Sequence, residues 1–425
     1  MLVTMSDRVF HEPLPEDAGR TGDGREGASS SRDRWGGHDG RFTACLFPHD
    51  SGVTLVLPGD ELRLAWRAHH EPFLRQFVAA LLATRVAPSD PAACILDAGA
   101  WIGDNALPWA TILSLTTSKR RGHLTQEAGA EDMTLRSSVL AIEPNPRHCA
   151  LMDRVAIANG IDANLVTVCS ALADRTGELV TSGDLDHCAF EPGVVEPEMA
   201  GTPNARTRVP CTTIDALCCG NSPRRLFLVH LDVEGLESQA LRGGNATLRR
   251  DRPIVIFEAH LRRQEAALRD CVTFLGSIDY DIYVMTDPLE GNYDDSRNVL
   301  AMPDDRSLGD ILATLERSTR AVVVRHSHGV FHTTRFTSED AAIAEVRRRQ
   351  GGPFACVAVR HQAAGTLHAR PIAPDRPLAS CGESTWVQAC LAYAKDTSVT
   401  RAPLRKIAEG EDLASMARSI LSGQD

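Results

Sequence analysis

Nowhere in its 425 residues does the chain carry an apolar run long enough to cross a bilayer, so a helical membrane span is excluded. The first residues lack an apolar signal core and carry acids early, which points to an intracellular, cytoplasmic protein. Twelve cysteines are present, but no Cys-x-x-Cys pair, and their spacings follow no zinc pattern. Cys218 and Cys219 are adjacent and cannot bridge each other. Cys94, Cys169 and Cys356 fall in apolar, strand-like runs, where a thiol serves as a small hydrophobe. The set reads as reduced thiols. Basic charge is also in deficit: 45 Lys and Arg against 56 Asp and Glu give a formal net charge of -11. That balance argues against a nucleic-acid partner. The densest basic run, residues 347–349, lies in a helical pattern and reads as a solvated face.

Residues 11–40 hold almost no aliphatic side chains, and 1–40 is expected to be a disordered N-terminal segment. Order is expected from Arg41. Residues 42–47 and 53–57, joined across Asp50-Ser51-Gly52, read as a hairpin. Glu61 to Thr84 has the period of one helix. From Cys94 the pattern alternates strand and helix as far as Met285, with 118–138 as a polar insertion and 181–208 as a long loop. Such alternation predicts an α/β fold with a mostly parallel sheet and helices on both faces. Residues 306–425 read as a small α+β C-terminal module, with two hairpins flanking a helix over 338–350. His326, His328, His332, His361 and His368 cluster there in sequence, but scattered strand histidines are more often polar surface or core residues, and no metal site is expected.

The turn Leu96-Asp97-Ala98-Gly99-Ala100-Trp101-Ile102-Gly103-Asp104-Asn105 follows an apolar strand and opens a helix. Glycine lets backbone approach a ligand, and a helix start presents free N–H groups. The spacing differs from the Gly-x-Gly-x-x-Gly dinucleotide pattern. An acid ending the next strand, Glu143 in Ala141-Ile142-Glu143-Pro144-Asn145-Pro146, stands where a carboxylate accepts both hydroxyls of a ribose.

Further blocks follow in order: Ser170 to Gly177, Thr213-Ile214-Asp215-Ala216-Leu217, His230-Leu231-Asp232-Val233-Glu234-Gly235-Leu236-Glu237, Leu241-Arg242-Gly243-Gly244, Arg252 to Glu258 and Arg297 to Ala301. The ordered set resembles the FkbM family of S-adenosylmethionine (SAM) dependent methyltransferases over roughly residues 60–303, within a domain expected at 41–305. The resemblance implies a Rossmann-like class I methyltransferase sheet and SAM as cofactor. It implies cofactor contacts at Asp97, Gly99, Ala100, Gly103, Asn105, Glu143 and Ala171. Two positions depart from the family: Trp101, where Asn is usual, and His230, where Lys is usual.

Methyl transfer from a sulfonium needs alignment, and an alcohol acceptor also needs a base. Asp232 and Glu234, after the fourth strand, are the first candidates; Glu258 and His260, after the fifth, are the second. Base or positioning chemistry is favoured over a bound Mg²⁺. The expected activity is O-methylation of a hydroxyl on a small molecule or saccharide. The alternative is a non-catalytic SAM-binding or interaction protein that retains the fold. A nicotinamide oxidoreductase would need the tighter glycine pattern, which this turn lacks.

Overall fold

A computed structural model describes residues 42–58, 62–85, 93–121, 137–182, 189–190, 207–219, 224–261, 264–285, 296–303, 308–318, 321–327, 330–336, 354–361, 367–372 and 404–422, apart from positions 48 and 69 and with Ala342 in addition. The N-terminal segment 1–40, most of the insertion at 118–138 and the helix expected at 338–350 lie outside these residues.

The chain opens with β1 (Phe42–Phe47) and β2 (Val53–Pro58), the expected hairpin, with Phe47 opposite Val53. Ser51 and Gly52, at φ +58° and +73°, make the turn. The single helix expected over 61–84 is two: α1 (Leu62–Arg67) and α2 (Pro72–Arg85). Pro72 explains the break, because a proline ring disfavours helical backbone in the residue before it. Glu71 takes φ +48° instead.

Strand–helix alternation then follows. β3 (Ala93–Ala98) leads to α3 (Ala106–Arg121), β4 (Ser138–Ile142) to α4 (Pro146–Ala158), and β5 (Leu165–Val168) closes the first half. The segment expected as a loop over 181–208 is partly strand. β6 (Ala171–Leu172), β7 (Gly177–Ser182), β8 (Ala189–Phe190) and β9 (Thr207–Thr212) form a small sheet in the order β6-β9-β7-β8. After α5 (Ile214–Cys218) comes β10 (Arg225–Leu231). The helix expected over 237–250 is broken into α6 (Glu237–Arg242) and α7 (Asn245–Asp251). The backbone leaves the helix at Gly244, at φ −110° and ψ 9°, and Gly243 before it packs so closely that a side chain there would sit 2.2 Å from the carbonyl oxygen of Ala173. β11 (Ile254–His260), α8 (Glu265–Gly276), β12 (Tyr280–Met285) and β13 (Ser296–Pro303) complete the domain, followed by α9 (Leu308–Ser318).

The main sheet joins β12, β13, β11, β10, β3, β4 and β5 as neighbours in that order, with a further edge strand beside β12. β11, β10, β3, β4 and β5 are parallel, and β13 runs antiparallel between β11 and β12. Alternate strand residues feed two cores. Ile95, Val139, Leu228 and Ile256 pack with α2, α3 and α4. Leu96, Leu140, Val229 and Phe257 pack with α6, α7 and α8. Burial on both faces is what a parallel sheet requires, and it yields the Rossmann-like class I methyltransferase architecture.

β14 (Ala321–Ser327), β15 (Val330–Phe336), β16 (Phe354–His361) and β17 (Leu367–Ile372) form an antiparallel sheet in the order β15-β14-β16-β17. Both expected hairpins are therefore present, β14 with β15 and β16 with β17. The chain then returns to the main sheet. β18 (Leu404–Lys406) pairs antiparallel with β12, and the helix Leu413–Ser422 buries Leu413, Met416, Ala417 and Ile420 in the second core.

Candidate functional site

Chain order runs one way from β3 to β5 and the other way from β10 to β11, so the sheet reverses between β3 and β10. Ligands of open α/β folds bind at such a reversal, outside the carboxyl ends of the strands. The glycine turn, Glu143, Asp232 and Glu258 all lie at those ends.

The glycine turn is shaped chiefly by its neighbours. Gly99 has φ +76°, and a Cβ there would lie 1.6 Å from the backbone carbonyl oxygen of Asp232. The Asp232 N–H donates to the Ala98 carbonyl at 2.9 Å, so the two strand ends are in direct contact. Gly103, at φ +85°, would press a Cβ onto Met152 and Leu107 at 2.7 and 2.8 Å. The N–H groups of Gly99 and Ala100 both donate to the Ile142 carbonyl, at 3.0 and 3.1 Å. These amides stitch β3 to β4. Trp101 occupies φ +45°, a left-handed backbone in which Asn is favoured over bulkier side chains. Its indole lies between Arg67 and Arg63, 5.5 and 5.9 Å from ring to guanidinium, and meets His148 edge-on at 6.2 Å.

Glu143 is buried after β4. Its Oε2 accepts the Trp101 N–H at 2.9 Å, its Oε1 accepts the Asn145 N–H at 2.9 Å, and His148 Nδ1 lies 3.3 Å from Oε1. These bonds fix the carboxylate just past the end of β4. Ser170 and Ala171 lie beside it, since the Ser170 N–H donates to the Glu143 carbonyl at 3.1 Å. Ala171 itself is buried in the small sheet against Cys211.

Asp97 and His230 face each other across β3 and β10, with His230 Nδ1 2.7 Å from Asp97 Oδ1. Both are buried. Burial lifts the Asp97 carboxyl above its usual range, with the His230 hydrogen bond working against it. For His230 burial works downward, but the bond and charge of Asp97 win, and its affinity for a proton is raised. Four buried polar atoms here have no hydrogen-bond partner among the described residues: Asp97 Oδ2, His230 Nε2, Asn105 Oδ1 and Trp109 Nε1. Asn105 and Trp109 are one turn apart at the start of α3, and the Trp109 ring stands edge-on to His230 at 5.5 Å. Such unsatisfied atoms suit a polar ligand.

The parallel pairing of Leu231 with Phe257 sets Asp232 beside Glu258 at the mouths of β10 and β11. Burial, then the charges of Glu258, Glu234 and Glu71, hold the Asp232 carboxyl well above the usual range. Glu234 is exposed and takes φ +51°. His260 ends β11 with its Nδ1 buried and unbonded among the described residues. Glu237 turns inward from the first turn of α6. Its Oε1 accepts the Val233 and Gly235 N–H groups, each at 3.2 Å, so it staples the loop that carries Asp232 and Glu234. Among the described residues, no three His, Cys, Asp or Glu side chains form a metal-holding group.

A set of charged residues escaped the sequence reading. The α1–α2 corner sets Arg67, Glu71 and Arg75 over the site. Arg75 is fully buried; it donates to Asp50 at 2.9 Å, to Asp104 Oδ2 at 3.3 Å and to the Asp104 carbonyl at 2.7 Å. Arg67 meets Asp104 at 2.9 Å. Burial would lift Asp104, but these two guanidiniums hold its carboxyl below the usual range. Asn298, opposite Glu258 in the β11–β13 register, donates to Glu71 at 2.6 Å. Pro72 was the available signal: it forces the break that turns Glu71 toward Asn298.

Residues 119–295 match the family model of the methyltransferase FkbM domain. The match contains Glu143, Ala171, Asp232, Glu234, Glu258 and His260, and begins beyond the glycine turn. Among solved structures, a methyltransferase FkbM from Methylobacillus flagellatus KT is 14% identical, with 56% of this chain and 57% of that chain covered, at a TM-score of 0.33. This chain thus spans little more than half of that relative. A putative O-methyltransferase from Klebsiella pneumoniae is 14% identical over 58% of this chain and 91% of that one, at 0.32. A geranyl diphosphate methyltransferase in complex with SAM is 12% identical over 57% and 90%, at 0.26. Likenesses this slight carry no argument about substrate. No curated protein matches the sequence. No helix among the described residues is long and apolar enough to cross a membrane.

Proposed function

We propose that this chain, whose residues 119–295 match the methyltransferase FkbM domain model, uses SAM to methylate a hydroxyl on a small molecule or saccharide. The observation that carries this reading is the Asp232–Glu258 carboxyl pair at the mouths of β10 and β11. A carboxylate whose proton affinity is raised is a competent base toward a hydroxyl, which a fully solvated one is not.

SAM, when bound, supplies an electrophilic methyl on a sulfonium. The chain's own residues do the rest. Glu143, already oriented by two backbone amides, keeps lone pairs for the ribose hydroxyls. Asp97 Oδ2 and Asn105 are placed to hold the amino-acid end, with His230 fixing Asp97 from behind. Gly99, Ala100 and Gly103 shape the turn against which the cofactor lies, and Ala171 backs the adenine side. Asp232 takes the acceptor's proton, the Glu258 charge raises its affinity for that proton, and Glu234 and His260 border the acceptor's entry. The catalytic domain of this reading is 41–305, joined by residues 404–422, which return from the C-terminal module to the main sheet and its core.

Calorimetry with the demethylated product of SAM tests the reading. Binding is expected in the wild type, weakened about tenfold or more by Asp97→Asn, which keeps the bond to His230 but loses the charge. No binding at millimolar ligand contradicts it.

A further inference from the structure

Cys169 was expected to sit in the strand as a small hydrophobe. It lies one residue past β5, and it is exposed. Its sulfur reaches back to the Pro144 carbonyl at 3.8 Å. Cys149, in the first turns of α4, is buried, and its sulfur donates to the Glu143 carbonyl at 3.2 Å. The two thiols therefore hold adjacent carbonyls of one loop, Glu143-Pro144. Backbone fixes the surroundings: the Glu143 N–H donates to Val168 at 3.1 Å, and the Ser170 N–H returns to Glu143 at 3.1 Å.

We propose that Cys149 and Cys169 form an oxidisable pair, and that their disulfide reshapes the Glu143 loop and weakens the site. The second half rests on the reading of Glu143 as the ribose partner. The oxidant is a low-molecular-weight disulfide such as oxidised glutathione. The exposed Cys169 sulfur attacks one of its sulfurs and expels the first small thiol, which leaves with the proton Cys169 gave up. The Cys149 sulfur then attacks Cys169 and expels the second small thiol with its own proton. Two thiols of the chain are oxidised to one disulfide, and one small disulfide is reduced to two thiols. Burial, then the Cys169 thiol, push the Cys149 thiol up, so Cys149 is the resolving partner and not the first to react. Closing the bond removes both S–H donors at once. The Glu143 and Pro144 carbonyls lose those contacts as the sulfurs draw together to bonding distance. The Glu143 carboxylate, whose two oxygens hold Trp101 and Asn145, moves with its backbone.

The full chain is equilibrated with oxidised glutathione and read three ways. Peptide mass spectrometry without reduction is expected to show a Cys149–Cys169 link that dithiothreitol reverses. Amide exchange at Trp101 and Asn145 is expected to speed up in the linked form. Affinity for the demethylated product of SAM is expected to fall about fivefold, the worth of roughly one hydrogen bond. Cys169→Ser, at an exposed position, is expected to abolish all three responses. Glutathione left on Cys169 with Cys149 untouched overturns the pair. A link that leaves exchange unchanged overturns the coupling to Glu143. If the reduced chain fails to bind the product, the functional reading falls, while the link and the exchange rates still decide the thiol pair.

Discussion

In the proposed reaction, Asp232 is the residue on which most of the chemistry turns. Burial and three neighbouring carboxylates keep it protonated beyond the range of an ordinary acid. A base in that condition gains its charge only as pH climbs, so kcat/KM is expected to rise with pH across a range above ordinary carboxylates. Glu258→Gln removes the largest neighbouring charge, and the rising limb is expected to move to lower pH. A limb that stays in place would show that the Glu258 charge does not act on Asp232. Asp232→Asn is expected to lower kcat by about 10²–10⁴-fold. Gly99 makes a different demand. A Cβ would collide with the Asp232 carbonyl, so Gly99→Ala is expected to destabilise the fold by more than about 3 kcal/mol in chemical denaturation. Gly160, also at positive φ, meets nothing within 4 Å, and Gly160→Ala is expected to cost only about 1 kcal/mol. Equal losses at the two glycines would refute the steric account.

At the level of elements, what was legible followed from pattern, and what was missed followed from breaks and from long-range pairing. The strand ends that carry Asp97, Glu143, Asp232 and Glu258 could be read because an apolar run meets an acid at each. The helix over 61–84 was misread as continuous because its apolar period survives across Pro72, although the backbone does not. That break creates the corner where Arg67, Glu71 and Arg75 gather, so the largest charged network of the site was missed with it. Local pattern also does not reveal the inward turn of Glu237, because its bonds to Val233 and Gly235 depend on the bend at Glu234 and Gly235. The network makes its own prediction. Arg75→Leu leaves Asp50 buried and Asp104 short of one partner, at about 3–5 kcal/mol in denaturant unfolding. Asp50→Asn added to that variant is expected to recover part of the loss. A double variant no more stable than the single would mean that charge is not the cause.

Over the whole molecule, alternation of strand and helix announced the parallel half of the main sheet, but not the insertion of β13 between β11 and β12, nor the return of residues 404–422 to its edge. Both depend on contacts distant in sequence, which local periodicity does not encode. Ending the chain at residue 372 is expected to bare the β12 edge and the apolar surface under Leu413, Met416, Ala417 and Ile420. A lower Tm and growth of light scattering are the expected readouts; an unchanged Tm would make the return ornamental. Finally, Gly99 and the Asp232 carbonyl form a common wall, with no room between the turn on one side and the acceptor acid on the other. If the proposed roles hold, an engineer who reshapes the acceptor pocket by shifting the backbone at 232 also shifts the cofactor's seat. Selection faces the same constraint, so new acceptors are more readily reached by changing side chains around that wall than by moving it.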